Sequence, residues 1–325
     1  GRSVQLIIDP RLTAKECRSQ SREQLLRGLM SQPATVPSSY LYDALGSRLF
    51  AAITELPEYY PTRTELAMMR QYAGEMARSI GPRALLIEYG AGSGRKTRLL
   101  MEACAPAAYV AVDISRTALQ QCAAQLAAAY PDVRIEAVCA DYTRGLRLPE
   151  PAGVQAARRV IYFPGSTIGN FTPQDALRFL REASAVAGPG GAMLVGVDLK
   201  KAPARLHAAY NDAQAVTAAF NLNLLTRINR ELGGDFDVQG FAHHAFYNES
   251  KGRIEMHLRS LADQRVQIAG HGFSFRTGET IHTENSCKYG VEEFQQLARD
   301  AGYVPYHRWI DDEQLFSIHL LTVPT

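Results

Sequence analysis

Residues 88–97 read EYGAGSGRKT, a glycine-rich turn that ends the apolar run ALLIEYG (84–90). A triphosphate-binding loop, G-x-x-x-x-G-K-[ST], would need glycine where Arg95 stands, although Gly90, Lys96 and Thr97 all fit. The dinucleotide fingerprint G-x-G-x-x-G fails at one position too. Gly90, Gly92 and Gly94 instead alternate, with Glu88 two residues before the first. Glycines at that spacing let the backbone pass close under a nucleoside with no Cβ in the way. Lys96 and Thr97 then fall in the first turn of a helix, from which Lys96 could reach a cofactor carboxylate.

Outward from this turn, the chain alternates buried strands with helices. AYVAVDIS (108–115), IEAVCADY (135–142), RVIYFPGS (159–166) and AMLVGVDL (192–199) are short apolar runs like 84–90. Between them, RKTRLLMEACA, RTALQQCAAQLAAAY and TPQDALRFLREASAVA carry apolar residues at helical spacing. The last has its own start signal, with Thr172 as cap, Pro173 at the first position and Asp175 in the first turn. This alternation predicts an α/β fold, a doubly wound parallel sheet with helices on both faces. The second strand ends in Asp113, placed to accept from both ribose hydroxyls of a nucleoside. The third ends in ADYT, where Asp141 can accept from an adenine amino group and Tyr142 offers a ring face. Each such Asp alone reads as a turn former or cap. Carboxylates at successive strand ends, beside the glycine turn, point to a nucleoside cofactor.

After residue 200 the character changes. PARLHAAYNDAQAVTAAFNLNLLTRINREL reads as one long helix or two, and 236–288 as antiparallel strands with turns such as NESKGR. The final stretch resumes with a helix stopped by Gly302 and two strands joined by DDEQ. A doubly wound domain over 65–200 and 289–325 is thus interrupted by a second domain made of 1–64 and 201–288, the natural source of a substrate lobe.

The 325 residues carry a formal net charge of +2, with acidic and basic residues interspersed, which gives no support for nucleic acid or a membrane as partner. No apolar run approaches the roughly 20 residues of a bilayer span. Five scattered cysteines without a C-x-x-C pair argue against a disulfide framework or structural zinc, and favour a reducing cytoplasmic setting. The histidines, His243, His244, His257, His271 and His282 among them, show no metal-ligand helix spacing. Neighbours such as His243 and His244 point to opposite sides of a strand, so no metal is expected. A small-molecule substrate and a monomer are the expectations.

The spacing E-x-G-x-G-x-G resembles the first-strand turn of S-adenosylmethionine-dependent methyltransferases. LPEYYPTRTE (56–65), EYGAGSGRKT (88–97), FPGSTIGNF (163–171), HLRSLADQ (257–264) and IHTENSCKY (281–289) together resemble the histidine Nα-methyltransferase family of ergothioneine biosynthesis, over nearly the whole chain. The resemblance implies a Rossmann-like class I methyltransferase sheet with a mixed α+β substrate-binding domain. It implies S-adenosyl-L-methionine as cofactor and trimethylation of the α-amine of L-histidine to hercynine. Gly90, Gly92, Gly94, Lys96, Asp113, Asp141 and Tyr142 would hold the cofactor. Asn170 would hold the backbone end of the amino acid and Tyr210 its carboxylate. Tyr60 and, in the N-terminal segment, Tyr42 would face the substrate, and these two with Asn170 are the catalytic candidates. Met256 would be an apolar contact, with Glu284 and Ser286 reading the imidazole.

The chemistry suits these residue types. Methyl transfer from sulfonium to nitrogen is an in-line displacement that needs positioning rather than a metal or a covalent nucleophile. Tyrosine rings attract a methylated ammonium by about 0.5–2 kcal/mol each. A carboxylate opposite an imidazole N–H would be left unpaired by a ring lacking that donor, which discriminates against phenylalanine or tryptophan. Two alternatives stay open. One is an N-methyltransferase of the same family acting on another amino acid or a biogenic amine, the other a cofactor-binding subunit without catalysis.

Overall fold

A computed structural model of the chain describes residues 4–12, 14–91 and 94–325, with the side chains of 14–20 left out. Strand β1 (Gln5–Ile8) comes first, then α1 (Ala14–Met30), the short β2 (Ala34–Thr35), α2 (Ala44–Ile53) and α3 (Tyr60–Ile80). The alternating region follows as β3 (Ala84–Tyr89), α4 (Gly94–Cys104), β4 (Ala108–Asp113), α5 (Arg116–Ala129), β5 (Arg134–Cys139), β6 (Arg158–Phe163), α6 (Pro173–Ala187) and β7 (Ala192–Asp198). Helices α7 (Pro203–Tyr210) and α8 (Val216–Leu232) lead into β8 (Phe241–Asn248), β9 (Arg253–Ser260), β10 (Gln264–Ile268), β11 (His271–Phe275) and β12 (Thr280–Cys287). Helix α9 (Val291–Asp300), β13 (Val304–Ile310) and β14 (Phe316–Thr322) complete the elements described.

Two units emerge. The first holds residues 4–12, Arg63–Leu199 and Tyr289–Thr325, and the second 14–62 and Lys200–Lys288. In the first, eight strands lie in the order β1-β5-β4-β3-β6-β7-β14-β13. From β1 to β7 all pairings are parallel, and β14 and β13 run antiparallel at the far edge. Every residue of β3 and of β7 is buried, which is why these strands read as unbroken apolar runs. Strand order reverses between β3 and β6, the place where open α/β sheets receive ligands, and the glycine turn leaves β3 there. This is the Rossmann-like class I sheet. Helix α6 starts as its sequence predicts, with the Thr172 hydroxyl accepting from the Asp175 N–H and Pro173 in the first turn.

The sequence reading put 1–64 wholly in the substrate lobe. Instead, Gln5–Ile8 pair in parallel with β5 at the edge of the large sheet, from Gln5 opposite Glu136 to Ile8 opposite Cys139. The run Gln-Leu-Ile-Ile is too short to announce itself, and only the exposed edge of β5 makes it a strand.

In the second unit the long helical stretch splits in two. Asp212 accepts from the N–H groups of Val216 and Thr217, so its carboxylate starts α8 and ends the continuity with α7. The antiparallel strands foreseen over 236–288 form the sheet β12-β9-β8, which β2 extends in parallel beside β12, and a separate hairpin of β10 with β11. Asp43 caps α2 by accepting from the Gly46 N–H at 2.8 Å, and also takes Asn223 and Arg230 of α8. A Cβ on Gly46 would collide with the Leu41 carbonyl, so glycine is required for this tight entry into α2.

Candidate active site

The glycine turn is built for close approach. Gly90 has φ +98°, a conformation strained for any residue with a Cβ, and a Cβ there would meet nothing within 4 Å among the described residues. The space beside it is open. Gly94 begins α4, and Gly92 lies outside the described residues. Asp113 closes the turn on its other side, with one carboxylate oxygen accepting from the Ala91 N–H at 2.7 Å and the other from Ser115 at 2.9 Å. A carboxylate offers about four acceptor positions, so two remain for a pair of ribose hydroxyls. The local arrangement fits a nucleoside.

Asp141 caps the short turn Tyr142–Arg144 by accepting from the Thr143 N–H and hydroxyl, with Arg144 3.7 Å from its second oxygen. The Tyr142 ring stacks on Tyr89, centroids 4.9 Å apart and 10° from parallel. Phe163 and Phe179 pack edge-on against it, so the ring is held firmly. Glu88 is fully enclosed and accepts from the Thr97 and Tyr109 hydroxyls at 2.6 Å each. Burial pushes its carboxyl up to about 7, against the pull of those two donors.

Lys96 was expected to reach a cofactor carboxylate. It lies instead in a buried ion pair, its Nζ 2.7 Å from Glu65 Oε1. Glu65 also accepts from the Gly165 N–H at 2.9 and 3.1 Å, tying α3 to α4 and to the loop after β6. That loop carries Asn170 at the end of the turn Thr167–Asn170, half-buried. The Ser166 hydroxyl, on a left-handed residue at φ 55°, accepts from the Asp198 N–H and pins the loop to β7. The sequence reading missed Glu65 as the joint. Its signal was its place as the last residue of LPEYYPTRTE.

The other expected residues belong to the second unit, and the structure brings several together. Met256 on β9 is buried and pairs in register with Glu284 on β12. A register shift between His282 and Glu284 sets His282 opposite His257 but Glu284 opposite Met256. This bulge turns Glu284 to the face opposite His282, against ordinary alternation. Tyr42 donates to Glu284 Oε1 at 3.2 Å. Burial drives the Glu284 carboxyl up to about 7, with the Tyr42 bond and the Lys288 charge opposing. Burial and the Glu284 charge also push the Tyr42 hydroxyl well above its ordinary value. Ser286 accepts from the Tyr210 hydroxyl at 2.9 Å and from Lys288 Nζ at 2.8 Å. Tyr42, Phe50, Tyr59, Phe220 and Tyr210 form a chain of edge-on and tilted rings. Tyr60 is fully buried at the start of α3, with Lys201 donating to its hydroxyl and lying 4.4 Å from its ring centroid. Lys288 and Lys201 were not foreseen, since a lysine looks like surface in sequence.

On the opposite face of β9 and β12, the ligand atoms of Glu255, His257 and His282 come within 4.8 Å of one another. The two imidazoles stack at 4.4 Å and 17° from parallel, and planes so aligned do not meet at metal-ligand distance. Burial opposes the Glu255 charge, but bonds from His257, Asn248 and Arg253 outweigh it and hold the carboxyl at about 2. Glu255 and His257 form a hydrogen-bonded brace that reaches Asn248 and Thr280 on the flanking strands, and His282 joins it by stacking, its Nε2 3.9 Å from Glu255. Among the described residues, none of those expected at the site lines the open hollow of about 860 Å³ between Leu29–Ala34 and the β10–β11 hairpin.

Known proteins match these features. A family model described as histidine-specific methyltransferase, SAM-dependent, matches residues 21–323. The chain is 39% identical to the histidine N-alpha-methyltransferase of Mycolicibacterium smegmatis, over 95% of this chain and 97% of that one. It is 34% identical to ergothioneine biosynthesis protein 1 of Neurospora crassa over 97% of its own length, spanning 36% of that longer protein. The L-tryptophan methyltransferase of Psilocybe serbica is 28% identical over 91% of each chain. With the alternating-glycine turn on a doubly wound sheet, these matches establish that the chain belongs to the family of histidine-specific, S-adenosylmethionine-dependent methyltransferases.

Proposed function

We propose that this chain methylates the α-amine of L-histidine, three times in succession, to give hercynine. Glu284 carries the reading: a mostly enclosed carboxylate beside Met256 and near Ser286, on a face turned by a bulge. Such a group is costly to enclose unless a donor comes to it, and an imidazole N–H is that donor. A phenyl ring would leave it unpaired.

S-adenosylmethionine supplies an electrophilic methyl group when bound. Gly90, Gly92 and Gly94 give its nucleoside close approach, Asp113 accepts from its ribose, and Asp141 and Tyr142 contact its base. The roles expected of Asn170, Tyr60 and Met256 toward the amino acid stand as part of the same proposal, whereas the Tyr210 hydroxyl gives its one proton to Ser286 and has none for the carboxylate. Tyr42 anchors Glu284 at one oxygen and leaves the other to accept. The amine must shed a proton before it attacks, and Glu284 must be ionised to receive the imidazole N–H. Both requirements act in one direction, so kcat/KM for histidine rises from pH 6 towards mildly alkaline values.

Incubation with S-adenosylmethionine and a panel of free amino acids and amines, read by mass, tests this. Gain of three methyl groups on histidine above all others is expected. Methylation of tryptophan or a biogenic amine in preference would transfer the reading to that substrate. No product from any of them, with cofactor binding intact, would make the chain a non-catalytic subunit.

A further inference from the structure

Lys288 follows β12 directly and is 2% exposed. Its ammonium lies 2.9 Å from Tyr210 Oη and 2.8 Å from Ser286 Oγ, and the two hydroxyls are 2.9 Å apart. The three groups close a small triangle. An ammonium has protons and no lone pair, so it donates to both oxygens. Between two hydroxyls, the phenol is the stronger acid and the alkyl oxygen the better acceptor, and an ammonium on the phenol oxygen strengthens that bias. Tyr210 therefore donates to Ser286. With Lys288 and Tyr210 on its two lone pairs, the Ser286 oxygen has no acceptor position left, and its own proton must point to a third group.

We propose that Lys288 fixes the hydrogen-bond polarity of the imidazole-reading pair, obliging Ser286 to donate while Glu284 accepts, and so selects a neutral ring with one N–H and one bare nitrogen. This rests on histidine being the substrate and names how the same residues recognise it. Lys288 acts through Ser286 and Tyr210 as a positioning residue. Its charge also favours the ionised form of Glu284, whose other titratable neighbour is Tyr42, itself faced by Tyr59 and Tyr210. One lysine thus sets the acceptor and the donor ends of the pair. An indole offers the N–H without the bare nitrogen, and a thiophene offers neither.

The test compares L-histidine with β-(2-thienyl)alanine in wild type, Lys288→Met and Lys288→Arg. In Lys288→Met, kcat/KM for histidine falls about tenfold or more, the value of one hydrogen bond to a charged or obligate donor. Thienylalanine turnover and S-adenosylhomocysteine affinity stay within about twofold, so the ratio of the two substrates collapses. The acid limb of the histidine profile moves up by about one pH unit, because Glu284 loses its neighbouring cation. Lys288→Arg, still donor-only, retains most of the ratio. A ratio unchanged in Lys288→Met, or a parallel fall for both substrates, overturns the proposal. Should Lys288→Met fail to bind S-adenosylhomocysteine, the same ratio in Lys288→Gln decides, since its amide both donates and accepts and is expected to lower it; an unchanged ratio there overturns the proposal equally. A wild type that binds S-adenosylhomocysteine yet shows no preference for histidine defeats the substrate assignment instead.

Discussion

Glu65 in the first unit and Glu284 in the second are both enclosed carboxylates, and their surroundings differ in kind. Glu65 spends its acceptors at home, on the Lys96 ammonium and the Gly165 N–H. Glu88, on the neighbouring strand, does the same with two hydroxyls. Burial raises the Glu88 and Glu284 carboxyls alike to about 7, and the difference lies in their partners: Glu88 has two hydroxyls at 2.6 Å, Glu284 one at 3.2 Å and a favourable charge from Lys288. A carboxylate that builds structure is satisfied before any ligand arrives. One proposed to read a ligand, as Glu284 is, keeps acceptor capacity, and the fold is less stable for it.

This contrast can be broken by measurement. The largest effect is expected for Glu65→Gln, which leaves the buried Lys96 unpaired and costs about 3–5 kcal/mol in denaturant unfolding. A loss under about 1 kcal/mol would remove Glu65 from the framework. Glu284→Gln should do the opposite. The folded carboxyl is raised from 4.5 to about 7, so stability is lost as pH climbs through that window. Above it the penalty is on the order of 3 kcal/mol, so Glu284→Gln melts higher than wild type at pH 8 and gains little at pH 4.5. In the same variant kcat/KM for histidine drops about 100-fold while cofactor affinity holds. Equal melting curves at pH 8 would mean that Glu284 carries no such strain. Gly90→Ala should weaken S-adenosylhomocysteine binding about tenfold through backbone strain of about 1–3 kcal/mol, since the added methyl has free space. Unchanged calorimetric affinity would place the cofactor away from this turn. Smallest is Tyr42→Phe, which removes one hydrogen bond to Glu284 and raises KM for histidine about fivefold. No rise in KM would detach Tyr42 from the reading pair.

The sheet was legible because strands buried on both faces leave unbroken apolar runs, and the glycine turn because Gly90 needs a positive φ. Each expected strand ran one to three residues past its true end into the following loop; Asp113 is the last residue of β4, and Asp141 lies two beyond β5. Long-range pairings were not legible. Nothing local tells that Glu65 answers Lys96 across 31 residues, or that Lys288 bridges Tyr210 and Ser286. Strand β1 depends on an edge far along the chain, and the bulge near Glu284 depends on how β12 registers with β9. Motif resemblance found Glu284 and Ser286, which alternation alone would have left as surface.

That bulge also bears on how selectivity can drift. With Thr283 as the supernumerary residue, the imidazole brace and the reading pair share one ribbon but opposite sides of it. Removing Thr283 itself would restore plain alternation with both faces kept, whereas loss or gain of a codon between Glu284 and Ser286 would send Ser286 to the side of His282. On the proposed assignment, new ring preferences are reachable by changes of side chain at Met256, Glu284, Ser286 or Lys288, while the residue count beyond Thr283 stays locked.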